Sequence, residues 1–153
     1  MIVLGIETSC DETSASMVKN GKDVLSNIVY SSIRFHKKYG GVIPEIASRV
    51  HSEVIDRVTR KALLDAHLKF KNIDLIAVTK GPGLVGSLLT GISFAKALSL
   101  GLNRPLIGVD HLQAHLYANF LNNNFKKNPF IGLVISGGHT SIFFVKNWLN
   151  FKL

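Results

Sequence analysis

The chain has 153 residues, of which 46% are hydrophobic and 18% are charged. That length allows one compact domain and part of another, and the apolar content excludes an intrinsically disordered protein. No apolar run reaches the ~20 residues that span a bilayer. The net charge of +8 favours encounters with a polyanion, although a solvated basic surface would carry the same charge.

Cysteine usage and the N-terminal sequence bear on the cellular compartment. Cys10 is the only cysteine, so the chain cannot form an internal disulfide. The first residues lack the basic and apolar regions of a signal peptide. We therefore expect a cytoplasmic protein that is not bound to a membrane, and we assign Cys10 no catalytic role.

The first third of the chain predicts an antiparallel meander. The apolar run Ile2–Ile6 predicts a buried strand, and the polar stretch Glu7–Thr13 predicts a loop after it. Ser14–Val18 and Asp23–Ser32 are extended segments, and the Asn20-Gly21 dipeptide between them is typical of a hairpin turn.

A long amphipathic helix follows, from Pro44 to about His67. Apolar residues recur at every fourth position, which gives one apolar stripe along the helix. The stripe consists of Ile46, Val50, Val54, Val58 and Ala62. Pro44 suits the first position of the helix, and Glu45 complements the positive end of its dipole.

Two further strand and helix pairs are predicted in the middle of the chain. Ile73–Thr79 is a buried strand that ends at a glycine loop, Gly81–Gly83, before a helix over 84–100. Pro105–Val109 is another strand, and His111–Leu121 is a helix with Asp110 as its N-cap. The middle helix contains small residues that allow close packing, namely Gly86, Ser87, Gly91 and Ser93.

The end of the chain predicts a polar linker at 122–124 and then a hairpin. Its strands are Phe130–Ile135 and Ser141–Val145, around the glycine-containing segment Ser136–Thr140. The order of elements predicts an α/β fold that resembles the ribonuclease-H-like first lobe of an actin-like ATPase. We expect that lobe at 1–125 and, at 126–153, the first hairpin of a second lobe.

His111 and His115 lie four residues apart, so one face of the predicted helix carries two imidazoles that could bind one metal ion. Two ligands do not complete a site, and the pattern also arises by chance. The glutamate that follows the first histidine in zinc proteases is replaced by Leu112, which removes the catalytic base of a protease.

The polar loops offer weaker indications. Asp11 and Glu12 follow the first strand, where carboxylates could hold a cation or simply be solvated. The two glycine loops could present N–H groups to an anion or could be plain turns, and neither matches a Walker A or dinucleotide motif. Basic residues that could contact RNA surround the long helix, without an aromatic-rich RNA motif. They are Arg34, Lys37, Lys38, Arg49, Arg57, Arg60 and Lys61.

Five segments together resemble the tRNA N6-adenosine threonylcarbamoyltransferase family, in its bacterial or organellar form. They are Gly5–Thr13 (GIETSCDET), Tyr39–Arg49 (YGGVIPEIASR), Thr79–Leu84 (TKGPGL), His111–His115 (HLQAH) and Ser136–Thr140 (SGGHT). The resemblance implies an enzyme of two lobes that passes the threonylcarbamoyl group from threonylcarbamoyl-AMP to N6 of the adenosine beside the anticodon.

The resemblance also implies roles for particular residues. His111 and His115 are expected to bind one divalent metal ion, iron or zinc. Val134, Ile135, Ser136, Gly137 and Gly138 are expected to bind the substrate. Asp11 and Glu12 are expected to be catalytic. In archaeal relatives a tyrosine ligates the metal where Val134 stands here, and valine cannot do so.

The implied partners are tRNA, a paralogous partner subunit and a small ATPase subunit. The family's second lobe, which supplies a third metal ligand, does not follow the hairpin, so we expect weak activity from this chain and exposed apolar residues on the hairpin. A fragment, a frameshifted copy or a decayed gene would explain this. The alternatives are a carbamoyltransferase of the hydrogenase-maturation type, a non-catalytic scaffold subunit, and an inactive remnant.

Overall fold

The structure is a computed structural model that describes residues 1–121, 129–136, 140–147 and 150–152. By its contacts the chain forms two compact units, residues 1–111 and residues 112–153. A lobe boundary at residue 125 stays a prediction.

The first unit consists of a five-stranded sheet with helices. Its strands are β1 (Ile2–Glu7), β2 (Glu12–Lys19), β3 (Asp23–Ser31), β4 (Leu75–Gly81) and β5 (Leu106–Asp110). Its helices are α1 (Ile33–His36), α2 (Pro44–Asp65) and α3 (Val85–Leu102), with 3-10 turns at Lys37–Tyr39 and Phe70–Asn72. The sequence did not predict α1 or the two 3-10 turns.

The sheet is mixed, with the strand order β3-β2-β1-β4-β5. β1, β2 and β3 are antiparallel, as the predicted meander requires, whereas β1, β4 and β5 are parallel. Leu4 lies opposite both Met17 and Ile76, so buried side chains form a row across three strands. The predicted α/β fold is confirmed.

The turn between β2 and β3 confirms the Asn-Gly prediction. Asn20 and Gly21 have φ angles of 54° and 70°, and the N–H of Lys22 donates to the carbonyl of Lys19 at 3.1 Å. A two-residue turn with both φ angles positive matches the twist of the strands it joins.

The apolar stripe of α2 forms much of the core. Val50, Val54, Val58 and Ala62 are all at most 7% exposed, and α2 packs against β2, β3 and α3. Each of these buried valines stabilises the fold by about 1.5–3 kcal/mol on burial. Pro44 is the first residue of the helix, as predicted.

The small residues of α3 were predicted to allow close packing. Ser93 does not do so, because it is exposed. Gly91 is buried so closely that a Cβ there would lie 2.3 Å from Oγ1 of Thr8. A Cβ at Gly86 would lie 3.3 Å from Ser48 of α2. By length and composition alone α3 is apolar enough to cross a membrane, a test that core helices of soluble proteins also pass.

The second unit contains most of α4 (His111–Ala118) and the strands β6 (Phe130–Ile135), β7 (Thr140–Asn147) and β8 (Asn150–Lys152). The strands form an antiparallel sheet in the order β6-β7-β8. The hairpin prediction is confirmed, whereas β8 was not predicted and α4 ends three residues before the predicted Leu121. The predicted linker at 122–124 and residues 137–139 of the hairpin tip lie outside the described residues.

One face of the β6–β7 hairpin packs on α4 and the other is exposed. Leu116, Val134, Phe143 and Val145 form a small core. The opposite face carries Ile131, Leu133, Ile135, Ile142 and Phe144, which are 47% to 73% exposed. This confirms the expectation that the hairpin exposes apolar side chains.

Candidate active site

The loop between β1 and β2 carries the two acidic residues expected to be catalytic. We call Ser9–Glu12 the acidic loop. Asp11 is half-buried and Glu12, the first residue of β2, is exposed. Asp11 lines an open cavity of about 250 Å³, which Lys37 and Gly40 also line. The structure therefore places one of the two acidic residues in the lining of a cavity and the other at the surface.

Glu7, at the end of β1, forms a hydrogen-bonded cluster that the sequence did not predict. Its carboxylate accepts hydrogen bonds from the backbone N–H of Ser9 and the hydroxyl of Thr79. Nδ1 of His111 lies 3.3 Å from Oε2 of Glu7. The side chains of Glu7 and His111 are 30% and 27% exposed, so water screens their interaction only in part.

The electrostatics of this cluster favour a charged pair. Burial would raise the pKa of Glu7, but hydrogen bonds from His111, Ser9 and Thr79 outweigh it and lower the pKa to about 2. The hydrogen bond to Glu7 raises the pKa of His111 above its usual value, against the opposing effect of burial. Each group thus stabilises the ionised form of the other.

His111 begins α4, and His115, which is exposed, lies one helical turn later. Because Glu7 engages Nδ1 of His111, a metal ion would have to bind this ring through Nε2. The ring nitrogen of a metal-binding histidine that does not face the metal often donates to a carboxylate, as Nδ1 of His111 does to Glu7. The arrangement of His111 therefore fits a metal ligand. Within the described ranges, however, no three His, Cys, Asp or Glu side chains converge to hold an ion.

Glu7 could have been noticed in the sequence because ligands of open α/β sheets bind beyond the carboxyl ends of parallel strands. Glu7 is the last residue of β1, and β5 ends at Asp110, directly before His111. The parallel pairing of β1 with β4 and of β4 with β5 brings these ends to one edge of the sheet.

The glycine loop after β4 packs against the acidic loop. A Cβ at Gly83 would lie 2.6 Å from the carbonyl oxygen of Ser9, and the N–H of Leu84 donates to that oxygen at 2.8 Å. Glycine is therefore needed here for a close backbone approach. The packing accounts for this loop without a bound anion.

The residues expected to bind substrate lie at the end of β6. The side chain of Val134 is 7% exposed and belongs to the core of the second unit, whereas Ile135 is 73% exposed. Ser136 follows β6 and is exposed. Gly137 and Gly138 lie outside the described residues. Val134 could thus meet a ligand mainly through its backbone.

The predicted basic cluster divides into two groups, apart from Arg57, which is an exposed residue of α2. Three of its members form ion pairs along α2, which link Arg49 to Glu45, Arg60 to Asp56, and Lys61 to Asp65. The other group lies on Ile33–Tyr39, which we call the basic-aromatic segment.

In the basic-aromatic segment the guanidinium of Arg34 lies 4.7 Å from the ring centroid of Phe35. The ammonium of Lys38 lies 4.8 Å from that of Tyr39. Both rings are exposed. The structure therefore places two aromatic rings beside these basic side chains, which the sequence alone did not indicate.

Comparison with known proteins identifies relatives of this sequence. A protein of Clostridium beijerinckii named tRNA N6-adenosine threonylcarbamoyltransferase is 54% identical over 152 residues, which cover 99% of this chain and 45% of the relative. A protein of the same name from Clostridium kluyveri is 56% identical over 151 residues, which cover 99% of this chain and 44% of that relative. The chain thus spans less than half the length of these relatives.

Among solved structures, YeaZ from Pseudomonas aeruginosa is similar, with a TM-score of 0.61 at 17% identity. The match covers 97% of this chain and 63% of that one. At this identity the likeness shows the fold alone. Residues 23–153 match the TsaD family model, described as tRNA N6-adenosine threonylcarbamoyltransferase, and the chain therefore belongs to that family.

Proposed function

We propose that this chain is the N-terminal part of an enzyme that transfers the threonylcarbamoyl group from threonylcarbamoyl-AMP to N6 of adenosine 37, in tRNAs that read codons beginning with A. Family membership carries the proposal. It is supported by the placement of two family motifs: Glu7, from the first, is hydrogen-bonded to His111, from the fourth.

In this reaction the N6 amine attacks the carbonyl carbon of the threonylcarbamoyl group. A C–N bond forms, the C–O bond to the phosphate breaks, AMP leaves, and the amine loses a proton. Asp11 and Glu12 are the groups of this chain that would orient the amine and accept its hydrogen bonds. The half-buried position of Asp11 beside an open cavity supports this role.

We propose that His111 and His115 contribute two ligands to one divalent ion, iron or zinc. Bound there, the ion would supply Lewis acidity towards the acyl phosphate. Glu7 would orient His111 and keep its Nδ1 occupied. Val134 to Gly138 would hold the adenylate, with Val134 acting through its backbone.

The tRNA would meet the basic-aromatic segment. Arg34, Lys37 and Lys38 supply positive charge, and the exposed rings of Phe35 and Tyr39 offer surfaces on which unpaired bases can stack. Lys37 also lines the cavity beside Asp11, so this segment adjoins the acidic loop.

A paralogous partner subunit and a small ATPase subunit complete the proposal, together with a cytoplasmic location. Support for a protein partner comes from α3, where Val85, Leu89 and Leu100 are 57% to 84% exposed. Apolar side chains so exposed along one helix are typical of an interaction surface.

The test uses the completed enzyme, which is this chain joined to the second half of the Clostridium beijerinckii relative. With the partner subunits present, it is given tRNA and either threonylcarbamoyl-AMP or carbamoyl phosphate, and the modified nucleoside is measured by mass spectrometry. We expect threonylcarbamoyladenosine from the adenylate, and weak or no activity from the 153-residue chain alone. Activity with carbamoyl phosphate only would favour the hydrogenase-maturation type of carbamoyltransferase.

A further inference from the structure

We propose that the buried His51 is a positioning residue that fixes the acidic loop, and with it Asp11 and Glu12, for group transfer. His51 lies on α2 and is 0% exposed. Its Nε2 lies 3.0 Å from the carbonyl oxygen of Cys10, and its Nδ1 lies 2.7 Å from Oγ1 of Thr13. The ring thus binds the residues on either side of the two acids.

Hydrogen-bonding rules fix the tautomer of this ring. A carbonyl oxygen can only accept, so Nε2 of His51 must carry a proton and donate it to Cys10. Nδ1 then accepts the hydroxyl proton of Thr13. Burial lowers the pKa of His51, which favours this neutral form.

The carbonyl oxygens on both sides of Cys10 are fixed by other elements. That of Ser9 accepts from the N–H of Leu84 at 2.8 Å. That of Asp11 accepts from the backbone N–H of Ser32 at 2.9 Å and from its hydroxyl at 2.7 Å. Three successive carbonyls are therefore held by three separate parts of the first unit.

A second buried histidine supports the contact at Asp11. The N–H of Ile43 donates to Nδ1 of His36 at 3.2 Å, and Nε2 of His36 then donates to Oγ of Ser32 at 2.9 Å. The hydroxyl of Ser32 is thereby directed at the carbonyl of Asp11. One imidazole thus holds the carbonyl of Cys10 directly, and the other acts on the carbonyl of Asp11 through Ser32. Asp11 stays half-buried and Glu12 exposed.

The positioning of the loop can be tested on this chain without any assay of transfer. Cys10 is its only cysteine, so the pH profile of thiol alkylation reports on the loop alone. Burial and then the charge of Asp11 raise the pKa of the Cys10 thiol. Loss of the native loop geometry should therefore move the alkylation profile to lower pH.

Two substitutions separate the hydrogen bonds of the ring. His51→Asn places an amide group at the position of Nδ1, so the hydrogen bond donated to the carbonyl of Cys10 is lost. His51→Gln places an amide group at the position of Nε2, so that hydrogen bond is kept. Thr59→Val is the matched control, because Thr59 is buried on the same helix and its hydroxyl has no hydrogen-bond partner among the described residues. Unfolding in urea is measured for every variant.

We expect His51→Asn to be alkylated roughly threefold faster or more at a pH below the thiol pKa, with His51→Gln and Thr59→Val close to the parent. An unchanged profile in His51→Asn, or an equal shift in Thr59→Val, would overturn the proposal. Nitrogen-15 NMR of the parent gives a test without substitution, since a His51 protonated at Nδ1 alone would also overturn it.

The consequence for catalysis rests on the proposed function. In the completed enzyme, His51→Asn should lower kcat about tenfold or more with little change in KM for tRNA, and His51→Gln should restore most of the loss. Absence of transfer by the parent enzyme would contradict the proposed function while leaving the alkylation result intact. Unchanged kcat in His51→Asn would contradict the positioning role itself.

Discussion

The carboxylate of Glu7 lies 3.3 Å from Nδ1 of His111, although 104 residues separate the two along the chain. The sheet produces this contact, because β1, β4 and β5 are parallel neighbours whose carboxyl ends share one edge. The first strand therefore contributes directly to the environment of a residue expected to bind metal.

Glu7→Gln should reduce the dependence of stability on acid pH. The pKa of Glu7 falls from 4.5 to about 2 on folding, so its carboxylate stabilises the fold above pH 4.5 and loses this effect as the pH falls towards 2. We expect Glu7→Gln to lower the free energy of unfolding by on the order of 1–3 kcal/mol near neutral pH. Below pH 4.5 the free energy of unfolding should depend less on pH in the variant than in the parent.

The measurement is urea unfolding of the chain as a function of pH. Glu45→Gln is the control, because the Glu45–Arg49 pair is about three-quarters exposed and contributes little. A curve for Glu7→Gln that runs parallel to that of the parent would contradict the pKa assigned to Glu7.

Gly91→Ala should destabilise the first unit, because its methyl group would lie 2.3 Å from Oγ1 of the buried Thr8. Overpacking of this kind costs about 1–3 kcal/mol. Gly101→Ala, in the same helix, meets nothing within 4 Å and should stabilise it by up to about 1 kcal/mol. Thermal unfolding of both variants tests the prediction, and equal effects would refute the close packing of α3 on Thr8.

A polar residue should destabilise the fold at one position of β6 and be tolerated at its neighbour. Val134 is 7% exposed and Leu133 is 56% exposed. Val134→Asn should cost about 2–4 kcal/mol, because it buries an amide and leaves a cavity. Leu133→Asn should leave stability nearly unchanged and raise solubility. Denaturant unfolding and the solubility limit are measured, and similar losses in both variants would contradict the assignment of the two faces.

Removal of the basic side chains of the basic-aromatic segment should weaken tRNA binding in a salt-dependent way. Alanine at Arg34, Lys37 and Lys38 should reduce the slope of log K against log salt by about 0.7–0.9 for each phosphate that the variant no longer neutralises. Arg60→Ala in the completed enzyme is the control, since Arg60 is paired with Asp56. An unchanged slope in the triple variant would exclude the segment as an RNA-binding surface.

Elements with local signals could be predicted from the sequence. The stripe of α2 recurs at five positions, and the Asn20-Gly21 turn has a specific backbone requirement, so both could be predicted. α1 has four residues and β8 has three. Elements this short show neither the helical nor the strand periodicity of apolar residues in the sequence.

The site was only partly predictable because its contacts are distant in sequence. Motifs in the sequence lead us to propose Asp11, Glu12, His111 and His115 as site residues. Glu7 and His51 were not predicted, since their roles depend on contacts between separate elements rather than on spacing. His51 lies beside the apolar stripe of α2, where a lone histidine gives no sign of the loop it contacts.

The two histidines of α4 provide the most direct test of the proposed function. Metal content and transfer to tRNA are measured together in the completed enzyme, for the parent and for the variant with both His111→Ala and His115→Ala. The account predicts about one iron or zinc ion per parent molecule, and loss of both metal and threonylcarbamoyladenosine in the variant. Full metal content and undiminished transfer in the variant would contradict it.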